Sequence, residues 1–159
     1  MKDRSEKTAI IFIGIQASGK STFYRERFKD HVHINLDTLH TRNKEKILLQ
    51  KCVEKGDSFV VDNTNPTKAD REKYIQAARD HGYRIHGYYF QSSISDCIAR
   101  NRKRKGKARI PDQAVASTHR KLELPKYGEG FDALFYVCLK DGNFAISAWC
   151  ETEEQGGIL

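Results

Sequence analysis

Residues 14–21 read Gly-Ile-Gln-Ala-Ser-Gly-Lys-Ser, a G-x-x-x-x-G-K-[ST] element set behind the apolar, β-branched run 8–13 (TAIIFI). A run that is apolar throughout, with no alternation, reads as a parallel strand covered on both faces. A glycine-rich turn after such a strand requires a helix next, here over 19–29, whose first amides and partial positive charge face the turn. Gly14 and Gly19 allow backbone amides to converge on one concavity that suits phosphate oxygens. Ala17, Ser18 and Thr22 complete its rim. Lys20 supplies a point charge for the outer phosphates, and Ser21 a hydroxyl for Mg²⁺.

The strand-then-helix rhythm continues along the chain. Strands are expected at 31–36, 58–61 and 83–90, and helices at 38–55, 67–81 and 93–104. Gly56 and Gly82 are placed to stop two of the helices. Pro111 can start a further helix. Asp141-Gly142 between 134–139 and 144–149 signals a strand pair. The expected fold is therefore α/β: three layers around a mainly parallel sheet, with a helical lid over approximately 100–123. One domain is expected across 1–159, with a frayed polar tail at 151–159. Tyr88, Tyr89 and Phe90 lie in a strand and are expected in the core.

In open α/β sheets, ligands bind beyond the carboxyl ends of the strands. Asp37 and Asp62 both stand at such ends. Asp62 suits a second metal-site carboxylate beside Ser21, and Asp37 suits a base that accepts a proton from an attacking hydroxyl. Either could instead cap the next helix. Asn63-Thr64-Asn65-Pro66 is a turn whose polar side chains are expected to face the same cleft.

Residues 100–109 carry seven cations in ten positions. Arg100 and Arg104 are four apart, so an unbroken helix would put them on one face, where they could stabilise charge on a transferring phosphoryl group. The alternative is a solvated basic helix end, which suits Lys103, Lys105 and Lys107. The net charge of +7 favours a polyanionic partner. The four cysteines, Cys52, Cys97, Cys138 and Cys150, form no C-x-x-C pair and read as reduced, mostly buried thiols of a cytoplasmic protein. No signal peptide or membrane span is expected.

Several of these elements together resemble the 5′-kinase domain of polynucleotide kinases. They are the loop at 14–22, the Ile34-Asn35-Leu36-Asp37 element, Val61-Asp62-Asn63-Thr64-Asn65-Pro66, Arg100 and Arg104 in the lid, and the stretch 120–131. The resemblance covers roughly residues 8–140 and implies a small P-loop kinase fold using ATP and Mg²⁺. It further implies that Lys20 binds phosphates, Ser21 organises Mg²⁺, Asp37 activates the acceptor hydroxyl and Arg104 contacts the transferring phosphate. Many members carry an arginine three residues after the aspartate, to hold the acceptor's neighbouring phosphate. Here that position is His40, with Arg42 two residues further on. With Asp37, Asp62, Asn63 and Asn65, these two make up the expected acceptor side. The family often fuses this domain to a phosphatase or ligase, for which a chain of this length has no room. The chain resembles equally the stand-alone bacterial kinases of this lineage. Three functions stay open: a 5′-hydroxyl kinase of DNA or RNA, a kinase of a small hydroxylated molecule such as a sugar, nucleoside or antibiotic, and a nucleotide-gated nucleic-acid binder without transfer.

Overall fold

Ala9, Ile11 and Ile13 point to one face of the first strand, β1 (Thr8–Ile13), and Ile10 and Phe12 to the other, and all five are buried. Both faces are covered because helices pack on each side, which is why the run needs no polar alternation. The computed structural model describes residues 6–151. Chain order is β1, α1 (Lys20–Arg27), β2 (Val32–Ile34), α2 (Leu36–Leu39), α3 (Arg42–Lys55), β3 (Phe59–Val61), α4 (Lys68–Asp80), β4 (Arg84–Phe90), α5 (Ile94–Arg102), α6 (Asp112–Lys121), β5 (Ala133–Lys140) and β6 (Asn143–Ala148). Short 3-10 turns lie at Gly106–Ala108 and Tyr127–Glu129.

The sheet runs β2-β3-β1-β4-β5-β6. Neighbours from β2 to β5 pair in parallel, and β6 returns antiparallel along β5. Asp141 and Gly142, with φ of 51° and 78°, make the tight turn of this hairpin. On one face the sheet packs against Cys52 and Val53 of α3 and Tyr74, Ile75 and Ala78 of α4. On the other, Ile10, Phe12 and Val60 meet Phe23 of α1, with the Phe12 and Phe23 rings 5.8 Å apart. Ile15, Cys97 of α5 and Val115 of α6 form a small third cluster under the lid. The expected three-layer α/β architecture is therefore present. Tyr89 and Phe90 are fully buried, as expected of the core, whereas Tyr88 is half-buried and packs at the edge of the second cluster.

Two expected helices differ. The segment 38–55 is two helices, not one. Asn35 accepts from the Thr38 amide and starts α2 inside the expected second strand, which stops at Ile34. His40 then takes a left-handed conformation (φ 70°) that ends α2, and Thr41 caps α3 by accepting from the Lys44 amide. Asp37 thus sits in the first turn of a short helix, not at a strand end. The lid helix is also shorter than 93–104. Both ends of the buried Asn101 amide bond the backbone of Ile110, which turns the chain after Arg102. Arg104 lies beyond α5, so it and Arg100 do not share a continuous helix face. Pro111 does precede α6.

All four cysteines are free, but only Cys52 and Cys97 are buried; Cys138 is half-buried and Cys150 exposed. No helix among the described residues is long and apolar enough to cross a membrane. Nearly all of the expected frayed tail, residues 152–159, falls outside the described residues, as do residues 1–5.

Arg71 is fully buried in α4. It pairs in parallel with Glu129, Nε to Oε1 at 2.8 Å and Nη2 to Oε2 at 3.0 Å, and its Nη1 donates to the carbonyls of Asn65, Pro66 and Glu123. One guanidinium therefore ties the β3–α4 turn to the segments before β5. Arg71→Ala is expected to lower unfolding free energy by roughly 3–5 kcal/mol in urea denaturation, because it strands a buried carboxylate and three carbonyls. A loss below about 1 kcal/mol would show that the clamp is dispensable.

Candidate active site

The loop between β1 and α1 is held from three sides. The Gly14 amide donates to the Thr64 carbonyl at 3.0 Å. The Ile15 amide donates to Ser92 Oγ at 3.2 Å, and Ser92 in turn donates to the Phe90 carbonyl. From the lid, Arg100 Nε donates to the Ala17 carbonyl at 2.7 Å and Thr118 of α6 accepts from Gln16. Ala17 (φ 64°) and Gly19 (φ 100°) are left-handed. Gly19 also has no room for a side chain, since a Cβ there would come within 3.0 Å of the Phe144 ring. Gly14 is equally tight: its Cβ would lie 2.9 Å from Ser18 Oγ.

Lys20 folds back into this loop. Its Nζ donates to the carbonyls of Gly14 (2.9 Å) and Ile15 (2.7 Å) and to Ser18 Oγ (3.2 Å). Burial pushes the ammonium down to about 8; the Asp62 and Asp37 carboxylates oppose that shift and the Arg104 guanidinium adds to it. The same cation is therefore within electrostatic reach of both expected carboxylates and of the lid arginine.

Asp62 follows β3 and is buried. Its Oδ2 accepts from Ser21 Oγ at 2.7 Å and from His33 Nε2 at 2.7 Å. Its backbone is pinned to the neighbouring strand, the amide to the Ile34 carbonyl and the carbonyl to Asn35 Nδ2. Ser21 and Asp62 offer two hard oxygen donors. Among the described residues, no cluster of three or more His, Cys, Asp or Glu side chains could hold a metal unaided. The pair fits a cation such as Mg²⁺ that completes its shell with phosphate oxygens and water. It does not fit an all-protein metal cage.

Six other expected site residues are placed as follows. Asn65 does not face the cleft: it is buried, with φ 44°, and donates to the Phe12 carbonyl at 2.8 Å. Asn63 does not present a free side chain either. Its Oδ1 accepts from the Leu36 amide and its Nδ2 donates to Glu45 Oε2 at 2.8 Å. Both asparagines are thus braces, because buried backbone and carboxylate groups beside them need partners. Arg42 lies at the start of α3, its Nη1 shared by Glu45 Oε1 (3.1 Å) and the Tyr74 hydroxyl (3.3 Å), while most of its side chain is exposed. His40 is exposed at the end of α2. Thr22 is exposed on α1 and accepts from Arg25. The outer end of Arg104 is exposed and donates weakly to the Ala108 carbonyl at 3.4 Å.

Sequence reasoning missed His33, Glu45 and Ser92. His33 carried a faint signal, a polar residue two before Asn35 and so on the same side of an otherwise apolar strand. Glu45 is buried on α3 and accepts from Tyr74, Asn63 and Arg42, with Lys73 Nζ 3.4 Å away. Burial pushes its carboxyl up, but hydrogen bonds from Tyr74, Asn63 and Arg42 outweigh burial and hold it below the usual range. It looked like any helix-surface glutamate. Ser92 lies two residues past a strand, where serine is common.

A model of the AAA domain family matches residues 10–125, and the chain belongs to that family. It is 27% identical over 160 residues to a bifunctional polynucleotide phosphatase/kinase of Schizosaccharomyces pombe, a match covering 94% of this chain and 39% of that protein. It is 30% identical over 138 residues to a putative bifunctional polynucleotide phosphatase/kinase of Acanthamoeba polyphaga mimivirus, covering 81% of this chain and 32% of that protein. The chain thus spans well under half the length of these two relatives. Its fold is similar to a gluconokinase from Sinorhizobium meliloti 1021, with a TM-score of 0.58 at 20% identity over 85% of this chain and 84% of that one.

With no nucleotide bound, Lys20 loses its proton as pH rises through about 8. Phosphate oxygens favour the charged form. Nucleotide affinity is therefore expected to hold below about pH 8 and to fall above it, by up to about tenfold per unit. Titration of a fluorescent nucleotide between about pH 7.5 and 9.5 checks this. An unchanged dissociation constant across that range would contradict it, and Lys20→Met is expected to bind weakly with no such slope.

Proposed function

We propose that this AAA-domain chain is a kinase that transfers the γ-phosphoryl group of ATP to a hydroxyl, with the 5′-hydroxyl end of DNA or RNA as acceptor. The observation that carries this reading is the Lys20 ammonium seated in the loop beside the bonded Ser21–Asp62 oxygen pair, with the charges of Asp62, Asp37 and Arg104 all bearing on it. A phosphoryl donor, its charge-balancing groups and a base are all needed at one point for in-line transfer.

In this reading the loop amides and Lys20 bind the β- and γ-phosphates. Ser21 and Asp62 hold a divalent cation, which supplies positive charge to neutralise the phosphates. Asp37 accepts the proton of the attacking 5′-hydroxyl as its oxygen bonds to phosphorus and the bond to the ADP oxygen breaks. Arg104, exposed and loosely held at the Ala108 carbonyl, closes on the transferring group. Arg100 keeps the loop in shape through the Ala17 carbonyl and can reach the nucleotide from there.

A polynucleotide acceptor is supported by the lid. Lys103, Lys105, Lys107 and Arg109 are exposed and make no side-chain hydrogen bond or ion pair among the described residues. With the net charge of +7 they suit a phosphate backbone. The printed names of the two relatives above point the same way. Arg42, anchored by Glu45 yet largely exposed, would meet an acceptor phosphate in this reading. The competing reading, a small hydroxylated acceptor, draws on His40, which supplies no guanidinium beside Asp37.

The deciding assay incubates the protein with γ-labelled ATP, Mg²⁺ and short 5′-hydroxyl DNA and RNA. Label is expected on the oligonucleotide. Asp37→Ala is expected to reduce transfer roughly 10²–10⁴-fold while nucleotide affinity changes little. Arg42→Ala is expected to raise KM for the oligonucleotide more than it lowers kcat. Absent label on either oligonucleotide, with a small polyol or nucleoside phosphorylated instead, would overturn the acceptor assignment. Oligonucleotide binding with no transfer to any hydroxyl would overturn the kinase assignment.

A further inference from the structure

We propose that His33 is a positioning residue for Asp62, and that it sets how tightly the Ser21–Asp62 pair holds a divalent cation. The proposal rests on reading that pair as the cation site.

Ser21 Oγ and His33 Nε2 converge on the same carboxylate oxygen, Asp62 Oδ2, each at 2.7 Å. A carboxylate only accepts, so His33 Nε2 carries the proton between them. The Asp62 side chain is 1% exposed, so water does not readily replace either donor. With Oδ2 held twice, the carboxylate cannot rotate about its last bond, and Oδ1 is left for the cation or one of its waters. Without His33, only the Ser21 hydroxyl would restrain it, and that hydroxyl must also turn a lone pair toward the cation.

The imidazole is itself held. Its ring stacks on Tyr24 of α1, with centroids 3.9 Å apart and planes within 11°. The Tyr24 hydroxyl donates to the His31 carbonyl at 2.7 Å, so the tyrosine ring is fixed at its far end to the residue that leads into the strand carrying His33. Tyr24 lies one turn after Lys20 and Ser21 on the same helix. The helix that follows the phosphate loop, the edge strand β2 and the strand-end carboxylate are thus coupled through one ring. Partners of this kind orient a ligand without touching the metal, and their loss commonly weakens binding about 10–100-fold.

Mn²⁺ is a spectroscopic stand-in for Mg²⁺, and its binding to the protein–ADP complex is read by electron paramagnetic resonance. His33→Ala is expected to weaken Mn²⁺ about tenfold, while ADP affinity in EDTA stays within about twofold. His33→Gln, which keeps an N–H at the same reach, is expected to recover most of the loss. Tyr24→Leu keeps the donor but removes the stack, and is expected to fall between. In the kinase assay the Mg²⁺ concentration for half-maximal rate is expected to rise, with little change in kcat at saturating Mg²⁺. Wild-type binding of Mn²⁺ with an equal affinity in His33→Ala would overturn the role of His33. A Gln variant as weak as Ala, with the same fall in melting temperature, would reduce His33 to a packing residue. If the wild-type ADP complex takes up no Mn²⁺, the cation-site reading fails and the proposal fails with it. Should His33→Ala not fold, the Gln and Tyr24 variants decide the matter by the same measurements.

Discussion

The Lys20 ammonium sits inside its own loop, 8% exposed, with its protons directed to two carbonyls and a hydroxyl. Removing a cation from water is costly, and the hydrogen bonds of the loop offset only part of that cost. The rest of the end of the sheet is arranged around this charge. The Asp62 and Asp37 carboxylates both favour the charged ammonium. A cation held dry binds a polyphosphate far more strongly than the same group would in water. The depressed acidity constant and the affinity for anions are thus two readings of one constraint.

That constraint demands a rigid surround. Ser92, Thr64 and Arg100 tie the loop to β4, to the turn after β3 and to the lid. The turn is tied in its own right, through Asn65 to the Phe12 carbonyl and through Arg71 to the Tyr127–Glu129 segment. Asn63 links the Leu36 amide to Glu45, so the helix that carries Asp37 is fixed from below. Several polar residues that cluster near a reactive centre are therefore framework, because buried donors and acceptors must be satisfied before any group can be spared for a ligand. The lid contrasts with this. Lys103, Lys105, Lys107 and Arg109 are exposed and make no side-chain bond among the described residues, whereas Arg100 is bonded to the loop and Arg102 to Asp112.

The phosphate loop, the order of strands and helices, the strand-end Asp62 and the hairpin turn were all legible in the sequence. Each depends on local chemistry: glycine at left-handed positions, an unbroken apolar run, an Asp-Gly pair. The break between α2 and α3 was not legible. His40 is no glycine, so its residue type gives no signal for a φ of 70°, which it takes between the Asn35-capped α2 and the Thr41-capped α3. The end of α5 was hidden likewise, since it is set by the bonds of Asn101 to Ile110, nine residues on.

By itself the sequence determined an α/β sheet with a phosphate-binding loop at the end of its central strand, because backbone freedom and hydrophobic pattern are properties of short segments. Tertiary structure alone decided which polar side chains remain available. Asn63 bonds Glu45 across 18 residues, Asn65 the Phe12 carbonyl across 53 and Tyr74 Glu45 across 29, and His33 is brought onto Asp62 across 29. Hydrogen-bond demand in a buried site is set by which strands lie side by side, and that pairing is not written at any one position of the chain.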